Sequence, residues 1–194
     1  MKKVRIFLAS SNELIALRQQ FEIHIYRKCK LWIDQGVFLH LEIWEDLPSR
    51  ISETRSQDEY NKKIGECDLF VLLAYRKLGM YTAEEFETAF GVFNQKKKPF
   101  IFTYFKDNTM NEEPSLLSFK SRLESLGHFY NKYFDFSELW NSFNRELDNL
   151  LLTGFEEFIR GKPNQISYHI SDSKNVNTGN VNTGGGDFRI GDGN

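Results

Sequence analysis

Glu84, Glu85 and Glu87 stand together inside the stretch Cys67–Phe93, which reads CDLFVLLAYRKLGMYTAEEFETAFGVF. Carboxylates are the groups that answer positive charge developing on a substrate. Leu69-Phe70-Val71-Leu72-Leu73-Ala74 is an unbroken apolar run, short and bulky enough to read as a strand buried on both faces. A loop carrying Gly79 follows, and Thr82 with Glu85 three residues on reads as a capping box opening a helix. Phe86, Ala89, Phe90 and Phe93 then recur at helical spacing, an aromatic stripe against something large. At about 100° per residue Glu84 points away from that stripe, whereas Glu85 sits at its edge beside Ala89. Glu85 is therefore expected at a helix start just beyond the C-terminal end of a buried strand, where open α/β sheets bind ligands. The plainer alternative makes all three acids first-turn residues favoured by the helix dipole.

Other chemistries find less support. Cys29 and Cys67 are the two cysteines, too few for a disulfide framework or a metal site, and they fit a reducing cytoplasm. His24, His40, His128 and His169 show no ligand spacing, so no metal is expected. A net charge of −2 leaves no overall basic footprint for nucleic acid. Lys2, Lys3 and Arg5 lead into only a few apolar residues, so no signal peptide is expected, and no apolar run approaches the ~20 residues of a membrane span.

The elements that must position Glu85 follow from periodicity. Val4–Ala9 reads as a strand, with Ser10-Ser11-Asn12 as a turn. A helix from about Glu13 to Asp34 carries Leu14, Leu17, Phe21, Ile25 and Cys29 on one face, and Gly36 ends it. Phe38–Trp44 alternates as a second strand, and Glu45–Arg55 is a polar loop with Pro48. Gln57–Glu66 is a short helix with Tyr60 and Ile64. After the central strand and helix, Lys96-Lys97-Lys98-Pro99 supplies C-terminal cations and a stop. Pro99–Phe105 is a fourth strand, Ser115–Leu126 a helix, Phe129–Phe136 a last edge strand, and a helix from Ser137 runs to about Phe158. Strand and helix thus alternate throughout, which predicts a flavodoxin-like, doubly wound parallel α/β sheet of about five strands over residues 1–160.

Residues 161–194 differ in composition. Asn-Val-Asn-Thr-Gly occurs twice in tandem, Asn175–Gly179 and Asn180–Gly184, before Gly185-Gly186-Asp187-Phe188-Arg189-Ile190. A low-complexity tail is one reading. The other is a homotypic assembly segment: Val176, Val181, Phe188 and Ile190 are too few for a core of their own. Stacked on identical copies, they would be covered and the Asn side chains would form ladders.

Residues 3–158 resemble the Toll/interleukin-1 receptor (TIR) domain, in a bacterial TIR-like variety. The resemblance rests on Arg5-Ile6-Phe7-Leu8-Ala9-Ser10-Ser11 (first strand and loop), Trp44-Glu45-Asp46-Leu47-Pro48-Ser49 (the acidic loop after the second strand), Asp68–Leu73 (the central strand) and Glu85-Phe86-Glu87-Thr88-Ala89 (the Glu-(Leu/Phe)-x-x-Ala that opens the next helix). Tyr81-Thr82 stands where relatives carry Trp-Cys, and Ser49 replaces a loop glycine. Enzymatic TIR members use the helix Glu to cleave NAD, so the resemblance implies Glu85 as catalytic residue, with NAD as substrate rather than cofactor. It implies Ser10, Ser11 and Asp46 as substrate-binding, and Trp44 and Tyr81 as stacking residues. Phe188-Arg189-Ile190-Gly191 is similar to the core of RHIM-type amyloid signalling motifs, and the pentamers to prion-forming motifs of bacterial and fungal immune effectors.

These resemblances imply a cytoplasmic immune or cell-death effector that hydrolyses NAD when self-assembled, its partners being copies of itself and an upstream receptor with a matching tail. A non-catalytic adaptor on the same fold is the rival. A nucleotide-signal receptor or deoxyribosyltransferase-like enzyme is a third reading.

Overall fold

Parallel pairing around one fully buried strand organises the molecule. The computed structural model describes residues 1–43, 56–107 and 112–153. Its strands are β1 (Lys2–Ser10), β2 (Val37–Glu42), β3 (Leu69–Ala74), β4 (Phe100–Lys106) and β5 (Asn131–Tyr133), and its helices are α1 (Ile15–Trp32), α2 (Ser56–Glu66), α3 (Met80–Lys96), α4 (Pro114–Ser125) and α5 (Phe136–Leu152). The sheet has five strands in the order β2-β1-β3-β4-β5, every pair parallel. This is the flavodoxin-like, doubly wound arrangement expected. Every residue of β3 is buried, as its apolar run requires. Trp44, Asp46, the boundary near residue 160 and the tail residues Val176, Val181, Phe188 and Ile190 lie outside the described residues.

Side-chain alternation divides the core into two layers. On one face Ile6, Leu8, Val71, Leu73 and Tyr104 pack against Phe21 and Ile25 of α1 and Phe143 and Leu147 of α5. On the other, Phe7, Ala9, Phe70 and Leu72 pack against Ile64 of α2, Phe86 and Ala89 of α3, and Leu116 and Leu123 of α4. Strand β2 alternates as its sequence does, with Leu39 and Leu41 buried and His40 and Glu42 half-buried. The Glu42 carboxylate pairs with His40 at 2.9 Å and with Lys63 of α2. No described helix is long and apolar enough to cross a membrane.

Three local expectations are corrected. Thr82 does not cap α3, whose N-cap is Gly79 in an extended conformation; Ala83 N–H already bonds Gly79 O at 3.0 Å, so Thr82 is a helix residue and forms no capping box with Glu85. Strand β5 pairs over only three residues, leaving Phe129 and Phe134 exposed instead of extending the edge strand across Phe129–Phe136. Helix α5 begins one residue before Ser137, because the Asp135 side chain accepts the Glu138 N–H at 3.0 Å and caps it.

Phe143 is fully buried, with ring contacts to Phe21 and Phe102, so it joins α1, α5 and β4. Phe143→Ala is expected to cost about 3–5 kcal/mol of stability, read as a lowered midpoint in urea unfolding at unchanged slope.

Candidate functional site

Strands β1 and β3 are neighbours, yet the chain leaves them toward opposite faces: α1 follows β1 onto one layer, and α3 follows β3 onto the other. Their C-terminal ends therefore border the crevice where strand order reverses, the ligand-binding place of open α/β sheets.

Arg18 fixes this edge. It lies on α1, only 2% exposed, and its Nη1 donates to Ser10 Oγ at 2.7 Å and to the Ser11 carbonyl at 3.0 Å. A buried guanidinium costs heavily unless hydrogen-bonded, and here it ties the first turns of α1 to the end of β1. Ser11 Oγ donates to Glu13 at 3.2 Å. The Glu13 carboxylate also accepts the Arg76 backbone N–H at 3.2 Å and lies 3.7 Å from the Arg76 side-chain Nε, so it spans from the loop after β1 to the loop after β3.

Glu85 enters from the other layer. It sits in the second turn of α3 rather than at its start, which removes the first-turn dipole explanation for its presence. The residue is 8% exposed, and its carboxylate makes no hydrogen bond or ion pair with any other described residue. Burial, reinforced by the like charge of Glu84 and opposed by the Arg18 cation, pushes its pKa up to about 7. The neighbouring acids have structural partners. Glu84 accepts from Asn61 of α2 at 3.4 Å, and exposed Glu87 pairs with Arg122 of α4 at 3.2 Å.

Of the expected site residues, the structure gathers Ser10, Ser11 and Glu85 around Arg18. Tyr81 lies one turn before Glu85 on the same face of α3 and is 58% exposed. Trp44 and Asp46 lie outside the described residues. Sequence reasoning passed over Arg18, Glu13 and Arg76. Arg18 carries a readable signal, because it sits at i+4 from Leu14 and i−3 from Phe21, on the apolar face of its helix. Cys67, whose thiol burial pushes up to about 12, is no nucleophile. Among the described residues no three His, Cys, Asp or Glu come together to hold a metal ion.

No protein-family description matches the chain, and no curated protein does. Among solved structures, that of S. aureus homoserine dehydrogenase aligns at 14% identity and a TM-score of 0.37, covering 68% of this chain and 33% of that one. The chain thus spans about a third of the length of that dehydrogenase.

The pKa of Glu85 gives a stability test. Its folded value lies above the ordinary 4.5, so the folded chain keeps a proton that the unfolded chain releases, and stability falls as pH rises from about 4.5 to about 7. Glu85→Gln removes that loss. It should raise the melting temperature at about pH 8, by a stabilisation of order 3 kcal/mol, and the gain should vanish near pH 4. Equal effects at both pH values would mean that the carboxylate is not strained by burial.

Proposed function

We propose that the chain is a TIR-like effector that hydrolyses the nicotinamide–ribose bond of NAD. The observation that carries this reading is the buried Glu85 carboxylate, without a hydrogen-bond or ion-pair partner among the described residues, in the field of the buried Arg18 at the sheet's reversal point. A carboxyl group kept out of water without a partner destabilises the fold, and such groups concentrate at sites of chemistry.

The reaction asks little else of the protein. The pyridinium leaves with the bonding electron pair as neutral nicotinamide, so no general acid is needed. The ribose passes through an oxocarbenium-like state, which an adjacent carboxylate stabilises electrostatically, as in glycosidases. Water then adds to the anomeric carbon and releases one proton, giving ADP-ribose. Glu85 in its ionised form holds the ribose hydroxyls and faces the developing charge. Arg18 favours that ionised form. Ser10 and Ser11, held by Arg18, shape the end of β1 against the ligand, and Tyr81 offers an exposed ring at the mouth for stacking.

The same reading extends to the tail. Residues 161–194 act as a homotypic assembly segment in a cytoplasmic protein, bringing copies together or joining an upstream receptor with a matching motif. The tandem pentamers and the spacing of Val176, Val181, Phe188 and Ile190 support this.

Nicotinamide release from NAD by the full chain tests the activity, and an adaptor would release none. Activity should rise with pH through about 7 as Glu85 ionises. Glu85→Gln should lower the rate by at least ~100-fold. Full activity in Glu85→Gln, with Glu84→Gln or Glu87→Gln inactive instead, would move the chemistry to that other carboxylate. For the tail, a chain ending at Gly161 should keep its circular-dichroism spectrum. It should lose the steeper-than-linear dependence of activity on protein concentration; a truncated chain that keeps this dependence makes the tail a linker.

A further inference from the structure

The ends of β3 and β4 bring two cations to one ring. Arg76 lies with its guanidinium carbon 5.8 Å from the centroid of Tyr75, and the Lys106 ammonium lies 5.1 Å from the same centroid. The register accounts for the meeting: Ala74 is opposite Phe105, so Tyr75 and Lys106 fall on the next rung, at the C-terminal edge of the sheet. The negative faces of the ring attract cations, which accounts for both contacts.

The two cations differ in what balances them. Arg76 shares the Glu13 carboxylate. No carboxylate among the described residues lies within ion-pair distance of Lys106. Asp107 follows it in the chain with its N–H on the Tyr133 carbonyl, and the backbone N–H of Glu113 bonds the Arg76 carbonyl, but neither side chain pairs with Lys106. Adjacent Lys77 is exposed.

We propose that Arg76 and Lys106 form a subsite for the diphosphate of a dinucleotide, with Glu13 as the internal anion that a bound diphosphate displaces from Arg76. A planar guanidinium and an ammonium point charge gathered at one ring suit two linked phosphates. Neighbouring strands lie about 4.8 Å apart, so the end of β3 with Tyr75 is about 5 Å, and the end of β4 with Lys106 about 10 Å, across the sheet from β1 and Ser10. In this proposal the reacting ribose lies at Glu85 and the diphosphate linked to it lies at Arg76 and Lys106. This inference rests on the reading of the β1/β3 crevice as the NAD site, and it specifies how the ligand lies there.

Calorimetric titration of the full chain with ADP, inorganic pyrophosphate and adenosine tests it. Lys106→Gln should weaken ADP and pyrophosphate about tenfold. Lys106→Arg should restore them, Glu13→Gln should tighten them, and adenosine should bind alike in all four proteins. Added salt should narrow the difference between wild type and Lys106→Gln. Unchanged ADP affinity in Lys106→Gln overturns the subsite, and so does an equal loss for adenosine. Nicotinamide release followed in parallel separates the two readings. Cleavage of NAD with ADP indifferent to Lys106 leaves the activity and removes the subsite, whereas the expected ADP pattern without NAD cleavage does the reverse.

Discussion

The guanidinium of Arg18 is the interaction on which the site's geometry depends. A charge buried to this degree is tolerated only when its donors are occupied, and two of its bonds go to Ser10 and Ser11, where β1 ends. The first turns of α1 are thereby fixed to the sheet at the point where the chain turns outward. Ser11 in turn engages Glu13, and Glu13 reaches the loop after β3. One buried cation thus sets a chain of contacts running across the two central strands.

Glu85 belongs to the opposite layer and is placed by different forces. Phe86 and Ala89 bury α3 against β1, β3 and β4, and Phe86 meets the ring of Phe119 edge-on at 4.9 Å. That packing fixes the face of α3 on which Glu85 lies, and its carboxyl group is buried there. The cost is balanced by the surrounding core and by the Arg18 field from across the crevice. Two layers that are independently well packed hold opposite charges without letting them close into an ion pair.

The sequence made the sheet legible because its strands are apolar in ways only strands are. Leu69–Ala74 is too short for a helix and too apolar for an edge, and Phe38–Glu42 alternates. Gly36, with φ of 76°, ends the α1 region as expected. What escaped was set by geometry with no local signature. The Phe129–Phe136 segment is rich in aromatic residues, as strands are, but the β4 register pairs it only from Tyr104 to Lys106, so β5 stops at three residues. Thr82 is a good cap by type, and it was overruled when Gly79 took the extended conformation first. At Glu85, residue type and face were readable, whereas its lack of a partner among the described residues was not. Arg18 was visible as a charge on an apolar stripe, a pattern that the many apolar residues around it hid.

The brevity of β5 bears on how copies of the domain can meet. A parallel edge recruits another strand through its row of free N–H and C=O groups, and the gain grows with the number of rungs. On the β5 side only three residues present such a row. The β2 side is longer, but His40, Glu42 and Lys63 form a charged network beside it, the kind of feature that discourages added strands. Among the described residues, the sheet is therefore a poor template at either margin. The self-assembly proposed above would then draw on residues outside the sheet, such as those of 161–194.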